Sequence, residues 1–79
     1  MQLKKAKEYY ELGIISEFSA VKNEKRPGYW LLSIKGKEDR TWTLKTARNE
    51  EKDYSSLDSL VNEVERIVGK NIESLPINL

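Results

Sequence analysis

The 79-residue sequence contains neither cysteine nor histidine. Without cysteine the chain can form no disulfide bond and carries no thiol nucleophile. Without histidine it lacks the commonest zinc ligand and the commonest general base of enzymes. Its carboxylates do not follow the spacing of a calcium-binding loop, and its glycines form no phosphate-binding loop. We therefore expect a non-enzymatic protein with no metal, no cofactor and no small-molecule ligand.

Long apolar segments are absent as well. The longest uncharged run, residues 27–34, is much too short to cross a bilayer. The charged beginning of the chain is not followed by an apolar segment of signal-peptide length. We expect a bacterial-type cytoplasmic protein with no membrane partner.

The composition is that of a small folded domain. Hydrophobic residues make up 38% of the chain and charged residues 34%, a mixture typical of soluble globular proteins. A chain of this length has room for one small core. We expect a single domain covering residues 1–79.

The net charge of +1 hides an uneven distribution. Residues 1–52 hold 12 Lys and Arg against 8 Asp and Glu, whereas residues 53–79 hold 2 against 5. The first part is therefore mildly basic, which suggests an anionic partner near it, although the excess is smaller than in many nucleic-acid-binding domains.

Two alternating segments, residues 29–35 and 40–46, each carry one tryptophan and predict a β-hairpin. The register that joins their apolar faces makes three pairs: Ile34 with Trp42, Leu32 with Leu44, and Trp30 with Thr46. It leaves residues 37–39 as the loop, a common hairpin length. Because a slip by one residue would expose half of this apolar set, we interpret both tryptophans as core residues rather than as a stacking platform.

The segments around the hairpin complete the fold prediction. Residues 2–12 predict a helix that stops at Gly13, and residues 14–22 predict the first strand, whose Phe18 and Ala20 would join the buried face. The turn over residues 26–29 has the Pro-Gly order of a type II turn. An apolar stripe beginning at Leu57 predicts an amphipathic helix that ends at Gly69.

The predicted fold class is α+β: an N-terminal helix, a three-stranded antiparallel sheet, and a C-terminal amphipathic helix packed on one sheet face. We predict Ser55 as the N-cap of the second helix, with Ser56 as the weaker alternative. A short extra strand is expected at the end of residues 47–54. Residues 70–79 are expected to form an extended tail or an edge strand, because Pro76 cannot serve inside a sheet.

The sheet face opposite the tryptophans is the candidate binding surface. Its expected residues mix hydroxyl, aromatic and basic side chains, which suits contact with DNA phosphates. The candidate phosphate-binding residues are Lys35, Arg40, Lys45 and Arg48. The alternative interpretation is an ordinary solvated sheet face, on which Thr and Lys are common.

Tyr29 and Leu31 favour protein contact at the same face. An apolar residue predicted to point outward beside a tyrosine suggests that the first helix or a second subunit covers it. The sequence leaves open which face the first helix covers. Our first hypothesis is an accessory or regulatory module that acts through protein contacts, with a protein partner or as a homodimer. The alternative is a DNA-binding module that uses the sheet.

Residues 29–69 also carry a resemblance. They contain an aromatic-aliphatic strand, the segment TLKTAR at residues 43–48, the segment YSSLDSL at residues 54–60 and a helix ending in IVG. In these features the chain resembles small uncharacterised proteins encoded on bacterial plasmids and integrating elements. Some of those are labelled partition-associated, which implies an accessory role in a mobile genetic element. The order of three strands and a helix is similar to the arm-site-binding domain of tyrosine integrases, which reads the DNA major groove with its sheet. Neither resemblance assigns a role to an individual residue.

Overall fold

A computed structural model describes residues 1–72, 75, 77 and 78. The elements are α1 (Leu3–Glu11), β1 (Ile15–Lys22), β2 (Trp30–Gly36), a 3-10 turn (Lys37–Asp39), β3 (Thr41–Thr43), β4 (Asp53–Tyr54), α2 (Leu57–Val68) and β5 (Ile77–Asn78). The predicted α+β class is confirmed, and so are the hairpin loop at 37–39 and the short extra strand after the charged turn.

β2 lies at the centre of the sheet. The strand order is β3-β2-β1-β5, and β4 pairs with β2 as well. β1, β3 and β4 run antiparallel to β2, whereas β5 runs parallel to β1. The edge-strand alternative for the end of the chain is therefore confirmed at Ile77–Asn78, while Pro76 lies outside the described residues.

The hairpin has the predicted register over most of its length. Ile34 pairs with Trp42, and the backbone N–H of Leu44 donates to the carbonyl of Leu32 at 3.0 Å. The backbone N–H of Gly36 donates to the carbonyl of Arg40 at 2.8 Å, which closes the loop. Gly36 has no room for a side chain, because a Cβ there would lie 2.6 Å from Cζ3 of Trp42.

The predicted pairing of Trp30 with Thr46 is wrong, since Trp30 pairs with Tyr54 of β4. β3 ends at Thr43, and the chain then makes a tight turn in which the Thr46 N–H donates to the Glu50 carbonyl at 2.7 Å. Asn49 takes a left-handed conformation there, with φ of 65°. The turn carries the chain away from β2 before β4 returns to it.

Both helices pack on the same face of the sheet. The ring of Tyr9 in α1 lies 5.8 Å from the ring of Trp42, and Tyr10 lies 6.1 Å from Phe18. Leu32 and Ile34 of β2 are fully buried beneath the helices, in one cluster with the residues Ala6, Ile15, Ala20, Leu44, Tyr54, Leu60, Val64 and Ile67. We call this side of the sheet the covered face and the opposite side the open face.

The caps of α2 explain its bounds. The N-cap is Ser56, whose Oγ accepts a hydrogen bond from the backbone N–H of Ser59 at 3.2 Å. The prediction of Ser55 is therefore wrong, because the helix begins one residue later than that cap requires. Gly69 ends the helix as predicted, in a left-handed conformation with φ of 81° that glycine adopts easily.

Candidate interaction surfaces

The strand pairings arrange the open face as three rows of side chains. Cross-strand partners share a face of the sheet, and alternate residues along a strand point to opposite faces. The rows are Glu17, Lys35 and Thr41; Ser19, Ser33 and Thr43; and Val21, Leu31 and Asp53. Hydroxyl side chains therefore fill the middle, a charged row lies at one end, and an aliphatic pair lies at the other.

Neither helix covers this face. α1 contacts Trp42 and Phe18 on the opposite side of the sheet, so the suggestion that the first helix covers Leu31 is wrong. Val21, Leu31 and Ser33 remain half-buried, whereas Glu17 and Lys35 are exposed. Ser19 is the least accessible member at 9% exposure. The open face is thus available for contact, with aliphatic side chains within reach of a partner.

Tyr29 lies beside the aliphatic end of the open face, as part of a small cluster. The guanidinium of Arg26 lies 3.7 Å from the centre of the Tyr29 ring and makes a salt bridge of 3.1 Å with Asp53. The turn that holds Arg26 has the predicted form, since the Tyr29 N–H donates to the Arg26 carbonyl at 3.1 Å and Gly28 has φ of +87°. The cluster neutralises Asp53 and orders Tyr29 next to Leu31.

The four candidate phosphate-binding residues do not form one group. Lys35 lies on the open face directly between Glu17 and Thr41. Arg40 precedes β3 and lies 3.9 Å from the exposed Glu38 carboxylate. Lys45 and Arg48 lie beyond the other end of β3, on the segment that leaves the sheet. Because Glu17 offsets Lys35 and Arg26 offsets Asp53, the open face itself carries no excess of positive charge.

A buried carboxylate organises the opposite side of the molecule. Glu63 of α2 is only 3% exposed, and burial of a lone charge would be costly. Its Oε1 accepts from Lys52 Nζ at 2.5 Å and from the Tyr54 hydroxyl at 3.1 Å, and its Oε2 accepts from Arg66 at 3.5 Å. Burial, followed by the Glu63 charge, raises the pKa of Tyr54 well above its ordinary value of 10.0. Tyr54 therefore acts as a neutral donor that joins β4 to α2.

Three lysines line one cleft beside this carboxylate. The cleft measures about 340 Å³ and lies between the start of α1 and the segment after β3. Lys4, Lys45 and Lys52 line it together with Gln2, Thr46 and Glu63; we call it the lysine cleft. Of these three lysines, only Lys45 was a candidate from the sequence. Lys4 lies far from it along the chain, and Lys52 shares no motif with it.

Within the described residues, no group of three or more Asp or Glu side chains is placed to hold a metal ion. In the same part of the chain, no helix is long and apolar enough to cross a membrane. Comparison with protein-family models, with curated proteins and with solved structures gives no match for this chain.

Proposed function

We propose that this protein is an interaction module whose open face binds protein, and that the partner is a second copy of the chain. The observation that supports this is the placement of α1 and α2 on one side of the sheet, so that Val21 and Leu31 lie on the face that neither helix covers. No catalytic step is part of the proposal. The role would be accessory or regulatory, as the resemblance to proteins of mobile elements implies.

The charges of the open face favour a copy of itself as the partner. In a two-fold interface the same surface meets itself, so each residue type must find its complement within that surface. Lys35 and Glu17 are exposed neighbours of opposite sign in one row. A two-fold arrangement can set Lys35 of one copy against Glu17 of the other, and it brings the aliphatic ends and hydroxyl rows of both sheets into contact.

The size of the face sets the expected affinity. Three strands spaced about 4.8 Å apart, over about five residues each, give roughly 240 Å² of flat area per copy. That is small beside the total of about 1,200–2,000 Å² that stable specific interfaces bury. We therefore expect a weak, concentration-dependent dimer with a dissociation constant in the micromolar range or above.

A charge exchange tests the dimer. Sedimentation should be measured from low micromolar to near-millimolar concentration for the wild type and for Lys35→Glu. The variant sets two carboxylates against each other across the interface, because Glu17 then faces a second glutamate. Its dissociation constant should therefore rise at least about tenfold. The double variant Glu17→Lys with Lys35→Glu restores opposite charges and should restore the dimer.

Lys7→Glu is the matched control, since it makes the same charge change at an exposed position of α1, on the other side of the sheet. It should leave the dimer unchanged. A wild type that stays monomeric at the highest concentration contradicts the proposal. So does a double variant that is no better than Lys35→Glu alone.

A second candidate function is DNA binding through Lys35, Arg40, Lys45 and Arg48. The observation that favours it is that Lys35, Lys45 and Arg48 make no salt bridge within the described residues, so each can contact a phosphate without breaking one. Gel shifts with a mixed pool of DNA duplexes at several salt concentrations test it, because phosphate contacts make the affinity fall steeply with salt. Absence of binding at low salt excludes it.

A further inference from the structure

The lysine cleft differs from the open face in its charge balance. The ammonium of Lys52 is paired with Glu63 at 2.5 Å. Lys4 and Lys45, by contrast, make no salt bridge within the described residues. The positive charge of Lys45 also acts on the N-terminal amine. The pKa of the Met1 amine is lowered mainly by burial and secondly by the charge of Lys45. The cleft is therefore lined by two lysines that make no salt bridge within the described residues, while the exposed Glu51 is the antiparallel bridge partner of Lys45.

The walls of the cleft are held together by hydrogen bonds. Gln2 Nε2 donates to the carbonyls of Thr46 and Ala47, both at 3.2 Å. The backbone N–H of Lys45 donates to the Met1 carbonyl at 2.7 Å. These bonds tie the segment before α1 to the segment after β3. Lys4 and Lys45 therefore lie on two backbone segments that are hydrogen-bonded to each other. A ligand that contacts both lysines loses little additional conformational entropy in holding these segments together.

Thr46 also lines the cleft and carries a hydroxyl group. Its Oγ1 accepts from the backbone N–H groups of Arg48 at 3.3 Å and Glu50 at 3.4 Å. A hydroxyl oxygen has two acceptor lone pairs and one donor proton, so both acceptor positions are engaged within the turn. The hydroxyl proton can then be donated to a ligand oxygen.

We propose that the lysine cleft binds a phosphate group, held by the ammonium groups of Lys4 and Lys45 and by the Thr46 hydroxyl. Lysine suits this ligand as a compact point charge with three donors. The carboxylate of Glu63 does not oppose it, because Lys52, Tyr54 and Arg66 already occupy its oxygens. The site is separate from the open face, so its test is independent of the dimer.

Amide chemical shifts recorded during a titration with inorganic phosphate test the site, with sodium chloride keeping the ionic strength constant. The wild type should show saturable shifts at Lys4, Lys45 and Thr46. Lys4→Gln and Lys45→Gln should each weaken phosphate binding by about three- to tenfold, as expected for loss of one charge-assisted contact. Lys7→Gln, on the same helix but outside the cleft, should bind as the wild type does.

A second titration with a short DNA duplex identifies the source of the phosphate. Tighter binding of the duplex than of inorganic phosphate, weakened by Lys45→Gln, supports the cleft as a contact for a polynucleotide backbone. Binding of inorganic phosphate with no gain for the duplex supports the cleft as a site for a free phosphate group. Shifts that do not saturate, or that Lys4→Gln and Lys45→Gln leave unchanged, overturn the proposal.

Discussion

Leu31 and Leu32 are neighbours of the same residue type that lie on opposite faces of the sheet. Leu32 is fully buried beneath the helices, whereas Leu31 is half-buried on the open face. The alternation of the strand separates them, since successive side chains point to opposite sides. The comparison teaches that residue type alone does not decide a role here. The two helices decide the role of each leucine, because they cover one face of the sheet and leave the other face open.

The two sides also treat charge differently. On the covered side, Glu63 is buried and receives hydrogen bonds from three side chains. On the open face, Glu17 is exposed beside Lys35, and no salt bridge joins their side chains within the described residues. A buried charge must be fully partnered, whereas an exposed pair contributes little to stability. Exposed charges remain free to take part in recognition.

The largest expected effect is on stability, from truncating each leucine in turn. Leu32→Ala should lower the free energy of unfolding by about 2–5 kcal/mol, because it leaves a cavity in a packed core. Leu31→Ala should lower it by less than about 1 kcal/mol, since less apolar surface is lost from contact. Urea denaturation measures both, and equal losses would contradict the assignment of the two faces.

A second comparison removes one carboxylate from each side. Glu63→Ala leaves the buried Tyr54 hydroxyl without its acceptor and should cost about 1–3 kcal/mol, since Lys52 and Arg66 are exposed enough to turn to water. Glu17→Ala should change the free energy of unfolding by no more than about 0.5 kcal/mol. Chemical denaturation near neutral pH checks this. A costly Glu17→Ala would mean that the open face is more tightly packed than described.

The last expected effect is a pH dependence on the covered side. The pKa of Tyr54 is raised in the folded state, so unfolding releases a proton once the pH exceeds about 10, the ordinary value for tyrosine. The free energy of unfolding should therefore fall as the pH rises further, by at most about 1.4 kcal/mol per pH unit from this group.

Tyr54→Phe is the control for that effect. It removes the hydroxyl but keeps the ring, so the part of the alkaline loss that Tyr54 causes should disappear, although the variant starts from a lower stability. The difference between the two pH profiles isolates Tyr54 from the other groups that titrate at high pH. Profiles that run parallel above a pH of about 10 would contradict the role of the Tyr54–Glu63 hydrogen bond.

The sequence predicted the hairpin and α2 because local patterns determine them. Alternation determined the pairing of Ile34 with Trp42, and an apolar stripe ending at Gly69 determined α2. The pairing of Trp30 could not be predicted in this way. It depends on where β3 ends and how the turn at Asn49 redirects the chain, and those features depend on tertiary packing.

The candidate surfaces were predicted only in part. The composition of the open face followed from strand alternation, but whether α1 covers it did not, because residues 3–11 carry no signal that selects a sheet face. The lysine cleft brings together Lys4, Lys45 and Lys52 from the start of α1 and the two sides of the turn before β4. No spacing rule connects such residues, so only the folded chain reveals their proximity.

Thiol labelling tests most directly whether one face is covered and the other open, because the chain has no cysteine of its own. Ser33→Cys places a thiol at the centre of the open face, and Ala20→Cys places one on the covered face, where Ala20 is fully buried. At a concentration at which the protein is monomeric, the thiol of Ser33→Cys should react with a labelling reagent in the native protein. The thiol of Ala20→Cys should react only after unfolding. Protection of the Ser33→Cys thiol in the native monomer, or rapid reaction of the Ala20→Cys thiol, would contradict the account.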